Sequence, residues 1–323
     1  MISNINIELI PPDLIYHGDP CILWPEEPDH RFIQNLKSIG QIQPAVVVRE
    51  NEKLQLVAGY KRCKAFLKLQ KKIACSILPA LDPPLKGLVY LSSNIGRTLS
   101  EASILSALRY FSSIDALSDA VWTNLDITPG SKSQGLWLNW IKLSRKWDIL
   151  LAKRSITLEC APLLIKLPSL DLDAVYPFFS DLGWSRNNSL KFLTWLLERS
   201  VMDNCSVRDQ IFKSGLNRHL ETSLSPADKI KSIMRDLFRV RYPLLANLKQ
   251  ETDKRLHQAS VNTLWKIEHK DEFESRDIVV NATVSNIKKL ELALVQLQKI
   301  TQSDFMKDWP VADTAEQKNA SEK

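Results

Sequence analysis

Between Ala45 and Leu78 the hydrophobic period of the chain changes repeatedly. Ala45-Val46-Val47-Val48 is a short continuous apolar run, as in a buried strand, and Leu54-Gln55-Leu56-Val57 alternates up to Ala58-Gly59. Beyond Gly59 the apolar positions Cys63, Phe66, Leu67 and Leu69 fall at helical spacing, and Ile73 to Leu78 reads as a strand again. The expected order is therefore strand, return through Glu50 to Lys53, strand, glycine corner, helix opening on Tyr60, strand. Upstream, Ile5 to Ile10 reads as a strand stopped by Pro11-Pro12, and residues 17–30 hold three prolines and read as loop. Phe32 to Ile39 reads as a helix with Phe32, Leu36 and Ile39 inward, ended by Gly40.

Downstream the pattern is mostly helical. Leu85 to Ser92 precedes a helix capped at Ser100-Glu101. Ile114 to Leu125 and Ser131 to Leu143 flank Asp126-Ile127-Thr128-Pro129-Gly130, a Pro-Gly turn of the sort that joins the helices of a helix-turn-helix. Leu136, Trp137, Trp140 and Ile141 are the inward residues of the second helix, and Trp122 and Trp147 are also read as core. Asp171 to Ser200 adds two helices joined through Trp184 to Asn188. Residues 201–225 are polar and mixed, as in a linker. Pro226 to Gln258 is a basic helical stretch breaking before Pro243; Val261 to Glu268 and Ile278 to Val284 read as strands, joined through His269 to Glu272; and Asn286 to Ile300 reads as an amphipathic helix. Residues 306–323 read as a disordered tail.

Charge sharpens the reading of the glycine corner. Lys61, Arg62 and Lys64 crowd the first turn of the helix, where unpaired N–H groups disfavour cations by roughly 0.3–1 kcal/mol each. A bound phosphate would relieve that conflict; a solvated basic face is the plainer reading. The net charge of +6 suits a polyanionic partner. No apolar run approaches the roughly 20 residues needed to span a bilayer, and the N-terminus lacks a signal core, so a cytoplasmic protein without membrane contact is expected. The five cysteines are scattered, with no CxxC pair, and read as reduced packing residues.

Ser38-Ile39, then Gln43-Pro44 before a strand, then Gly59-Tyr60-Lys61-Arg62-Cys63-Lys64-Ala65, then Asn94-Ile95-Gly96-Arg97 resemble in order and spacing the ParB family of DNA-partition proteins. That family has a helix ending SI…G, then QP and a strand, then GERRxRA, then ENxxR. The resemblance implies that the N-terminal domain binds cytidine triphosphate, with the first motif on the phosphates and the second helping to hold Mg2+. Gly59, Lys61, Arg62, Ala65, Asn94 and Arg97 match the nucleotide-binding positions, and Asn94 would be the metal ligand. The family's acidic residue after the glycine is Tyr60 here, and the one before the asparagine is Ser93. Carboxylates hold the metal and polarise water, so hydrolysis is expected to be weak or absent and no catalytic residue is assigned. The family's upstream PR segment is not clearly present.

The resemblance further makes Ser131 to Leu143 a recognition helix. Ser131, Lys132, Ser133, Gln134 and Lys142 would be available to base edges and phosphates, and Arg145, Lys146, Lys153 and Arg154 follow as a basic flank of the sort that contacts the phosphate backbone. It implies double-stranded DNA as partner, a homodimer formed through the C-terminal part, and a nucleoid-associated location. No basic peptide precedes the first strand, so stimulation of a ParA-type ATPase is not expected. The fold expected is an α+β ParB/sulfiredoxin-like N-terminal domain over 1–111, an all-α helix-turn-helix domain over 112–200, a linker over 201–225 and a small α/β C-terminal domain over 226–305. Two alternatives stay open. The N-terminal fold also resembles sulfiredoxin and free-serine kinases, which makes a small-molecule phosphotransferase possible if Cys63 or an acid serves the corner; the other is a nucleotide-free DNA or protein adaptor.

Overall fold

The computed structural model describes residues 6–50, 53–269 and 278–302, so the expected tail and most of the connection after His269 lie outside the described residues. The first part is a mixed sheet. Strands β1 (Asn6–Ile10) and β2 (Ile15–Tyr16) precede helix α1 (His30–Ile39); β3 (Ala45–Glu50), β4 (Lys53–Ala58), α2 (Tyr60–Leu69), β5 (Ile73–Leu78) and α3 (Pro83–Ser92) follow. The strand order is β1-β5-β3-β4-β2, with β3 parallel to β5 and antiparallel to β4. Ala45, Val47, Val48, Leu56, Val57, Ile73 and Cys75 are buried through the middle of the sheet. The strands and the corner helix are as the periodicity predicts.

Three differences have local causes. β2 is too short for a periodic signal, and it exists because Ile15 and Tyr16 pair in parallel with Leu54 and Gln55. Phe32 and Leu36 are half-buried, but Ile39, the last residue of α1 before Gly40 with φ +89°, is 66% exposed rather than inward. Residues 17–29 form no helix or strand, as expected, yet Cys21, Ile22, Leu23 and Trp24 are buried. Buried Lys86 holds this loop to the sheet: its ammonium meets Glu50 at 2.8 Å, Gln55 at 3.0 Å and Asp19 at 3.5 Å. Trp24 adds two bonds, from its backbone N–H to the Tyr90 hydroxyl at 2.9 Å and from Nε1 to the Ser103 carbonyl at 2.8 Å.

The chain then becomes helical: α4 (Glu101–Ser113), α5 (Asp119–Asn124), α6 (Lys132–Trp140), α7 (Lys146–Ala152), α8 (Ala161–Leu164), α9 (Ser169–Ser180), α10 (Arg186–Met202) and α11 (Val207–Lys213). α4 crosses α3 closely at Gly87, where an added Cβ would lie 2.6 Å from the Phe111 ring. The helix expected from Ile114 begins only at Asp119, since Asp115 takes φ +52° and the Ala116 N–H closes back on the Phe111 carbonyl. Trp122, Trp137, Trp140 and Trp147 are buried as expected, whereas Leu136 and Ile141 are only half-buried. Each buried indole is worth on the order of 4 kcal/mol of apolar transfer. Residues 201–225, read as a linker, instead carry α11 and a 3-10 turn at Leu216–His219, with Val207, Ile211 and Leu216 buried.

Two compact units result, 1–231 and 232–323, so the boundaries expected at 111 and 200 fall inside the first. Helix α12 (Pro226–Arg241) breaks at Tyr242 before α13 (Pro243–Ser260), as expected from Pro243. In the second unit β6 (Trp265–His269) pairs antiparallel with β7 (Ile278–Ala282), and α14 (Ile287–Thr301) starts on the Asn286 cap. One core cluster among its described residues has Leu256, Ile267 and Ile300 buried, with Trp265, Ile278 and Val280 packed against them. Ile287, Leu290 and Leu294 remain exposed along one stripe of α14.

Candidate functional site

The corner forms because β4 must turn sharply into α2. Gly59 takes φ +97°, and a Cβ there would come within 3.1 Å of Ala45, so glycine meets both a backbone and a space requirement. No side chain caps the helix start, which leaves the polar N–H groups of the first turn as an anion-attracting end. Ala65 and Cys63 are buried beneath it, and burial pushes the Cys63 thiol up to about 11.

The three basic residues of the corner have separate fates. Arg62 is half-buried and turned onto the main chain, its Nη1 donating to the carbonyls of Gln43 at 2.6 Å and Pro44 at 2.9 Å. Burial draws its pKa below the usual guanidinium value. Lys61 lies over the Phe32 ring and meets two carboxylates, Glu26 and Asp29, each at 3.3 Å. Lys64 stands 2.8 Å from His17 Nε2 and lies over the Tyr60 ring.

The second motif segment is brought to the same place. Arg97 stacks over Trp24 at 5.6 Å and pairs with Glu26 at 3.5 Å, so the two oxygens of Glu26 bridge Lys61 and Arg97. Asn94 donates its side-chain amide to the Tyr90 carbonyl at 2.8 Å, and Ser93 donates its hydroxyl to the Val89 carbonyl at 2.7 Å. Both side chains fold back on their own helix. This donor set does not fit a magnesium ion on its own, since Mg2+ is held by one or two carboxylates plus phosphate oxygens. Among the described residues no group of three or more His, Cys, Asp or Glu side chains is placed to hold a metal. Lys61 and Arg97, drawn together on Glu26 beside the uncapped start of α2, are the donors that suit a polyphosphate.

Glu26, Glu27 and Asp29 were not singled out by the motifs. Tyr60 donates to Glu27 at 3.4 Å, and Lys68 pairs with Glu27 at 3.6 Å. Asp29 caps α1 by accepting from the Phe32 N–H at 2.8 Å; that bond, then Lys61, holds its carboxyl below the usual range. The visible signal was the run Pro25-Glu26-Glu27-Pro28-Asp29, opposite in charge to the corner. Its pairing needed the topology.

The helical pair α5 and α6, joined through Pro129-Gly130, stands where the helix-turn-helix is expected. Gly130 takes φ +75°, and Ser131 caps α6 by accepting from the Gln134 N–H at 3.2 Å. Gln134 reaches back to accept from the Gly130 N–H at 2.7 Å. The second bond goes to the residue before the cap, while the Ser131 N–H itself donates to the Thr128 carbonyl at 3.1 Å, so Ser131 and Gln134 are both engaged in holding the helix start. Lys132, Ser133, Lys142 and Arg145 are exposed, while Lys146 is paired with Asp173 and lies over the Tyr176 ring. The far end of α6 is clamped from α4: Arg109 bonds the carbonyls of Ile141 at 2.6 Å and Leu143 at 2.8 Å, and Asp148 bidentately at 2.8 and 3.0 Å. A cavity of about 870 Å³ is lined from both candidate sites, by Trp24, Asn94 to Leu99, Thr123 to Ile127, Ser133 and Trp137.

No protein-family model matches the sequence, and no curated protein matches it at a significant level. Among solved structures the chain is similar to the C-terminally truncated chromosome-partitioning protein ParB from Caulobacter crescentus complexed to the centromeric parS site, with 14% identity and a TM-score of 0.34 over 62% of this chain and 95% of that one. It is similar to the same protein complexed with CTP-gamma-S, with 14% identity and a TM-score of 0.25 over 54% and 98% of the two chains. A Pnob8-like ParB-N domain aligns at 12% identity and a TM-score of 0.34, covering 77% of this chain and 97% of that domain.

Proposed function

We propose that the chain is a ParB-like DNA-binding protein, acting in chromosome or plasmid partition or a related regulatory role, whose glycine corner receives a nucleoside triphosphate. The motif resemblance makes that nucleotide CTP, with Mg2+ arriving on the phosphates. α6 is the helix that meets duplex DNA, and the unit from 232 onward pairs two copies. The observation that carries the reading is the meeting of residues 59–65 with 94–97 around Glu26, with the second segment also walling the cavity that Ser133 and Trp137 of α6 line. A ligand at the corner therefore has a short physical route to the DNA-facing helix.

One alternative has support of its own. Arg62 is committed to main-chain carbonyls and Lys61 to carboxylates, which favours a nucleotide-free adaptor that keeps DNA binding alone. The phosphotransferase reading is weakened, because Cys63 is buried and its raised pKa keeps it a thiol.

The test is fluorescence anisotropy with labelled duplex DNA at two salt concentrations, on the wild type and a Lys132→Ala, Ser133→Ala variant. The reading expects salt-sensitive binding that the variant weakens about tenfold, with a salt slope lower by about one. DNA affinity unchanged in the variant, or no binding at low salt, would sink it.

A further inference from the structure

We propose that the segment Pro25 to Asp29 is an internal anion that closes the basic corner, and that a polyphosphate enters by displacing the Glu26 and Asp29 carboxylates. This rests on the reading of the corner as a polyphosphate site. Glu26 occupies both cations that such a ligand would need, Lys61 through one oxygen at 3.3 Å and Arg97 through the other at 3.5 Å. Asp29 adds a second carboxylate to Lys61 at 3.3 Å. The positions of opposite charge are thus filled from a loop remote in sequence from both motifs.

The main chain of this segment is fixed at both ends. Trp24 is tied by its two bonds to Tyr90 and Ser103, Asp29 is the α1 cap, and Pro25 and Pro28 lie between them. Opening is therefore a side-chain event, in which carboxylates swing away while the backbone stays. It needs little energy, since the side chains of Glu26 and Asp29 are 52% and 62% exposed and pairs of this kind are individually weak. A free triphosphate carries more negative charge than both carboxylates together and its magnesium complex about as much, and either can also take the uncapped N–H groups of α2. A chloride or monophosphate offers much less in exchange. The closed corner thus selects for polyphosphate over the monoanions around it.

The experiment is calorimetric titration of the full chain with inorganic tripolyphosphate and with CTP–Mg2+, in the wild type and in Glu26→Gln, Asp29→Asn. Asparagine retains the α1 cap, and a thermal melt of the variant checks that it is folded. The proposal expects the variant to bind both ligands roughly three- to tenfold more tightly at low salt, with the difference shrinking as salt rises. Equal affinity in the two proteins would overturn the proposal and leave the corner reading standing. Weaker binding of CTP–Mg2+ by the variant would overturn it in another way, making the carboxylates metal holders. If neither protein bound either ligand, the corner reading and the proposal would fall together.

Discussion

Arg62 is the residue whose motif position and structural role diverge most. The motif makes it a phosphate contact, yet its guanidinium ties α2 to the chain entering β3 through Gln43 and Pro44. Arg62→Ala is expected to lower stability by about 1.5–3 kcal/mol in a urea melt, as two carbonyls lose a charged donor. Lys61→Ala removes only partly exposed ion pairs and is expected to stay within about 1 kcal/mol of wild type. A melt giving the two variants equal stability would contradict this division of labour. At this scale the sequence revealed the corner well, because Gly59 must be glycine and the period changes there. It did not reveal Glu26, Glu27 or Asp29 as partners, since a contact between residues 35 apart depends on how β4 and α2 are packed.

Helices announce themselves by periodicity, while their ends depend on single residues. α3 and α4 were readable from apolar spacing, with Ser100 marking the start of α4, whereas α3 begins at Pro83 on an Asp82 cap, two residues before the expected Leu85. α5 was overextended because Asp115 in a left-handed conformation leaves no periodic trace. Residues 201–225 looked like a linker because α11 is only seven residues long, too short for a periodic signal. Arg109 was invisible in the same way, although it fixes the end of α6 from α4. Its side chain is 15% exposed and that of Asp148 20%, so Arg109→Ala leaves a mostly buried carboxylate without its charge partner, keeping the Trp140 Nε1 donor at 3.1 Å. The expected loss is about 3–5 kcal/mol in chemical denaturation, with weaker DNA binding at temperatures where α6 loosens. Arg109→Ala with wild-type stability would show that the α6 end is held by other contacts.

The whole molecule divides into two units, and each poses a separate question. In the second, the exposed stripe Ile287, Leu290 and Leu294 favours pairing with another copy. Light scattering on the full chain is expected to give a dimer, and Leu294→Glu a shift to monomer at micromolar concentration; a wild-type monomer would contradict the pairing. The strands and helix of this unit were legible from alternation and spacing, but its boundary at 232 was not, because α12 runs without a break in pattern from Pro226 to Arg241. In the first unit, the account stands on communication between the glycine corner and α6. The most direct measurement is the dissociation rate of labelled duplex DNA from the full chain, with and without CTP–Mg2+, in wild type and Lys61→Ala. The account predicts a rate altered at least severalfold by nucleotide in the wild type and unaltered in the variant. A rate indifferent to nucleotide in both proteins would contradict it and leave a DNA-binding adaptor without a switch.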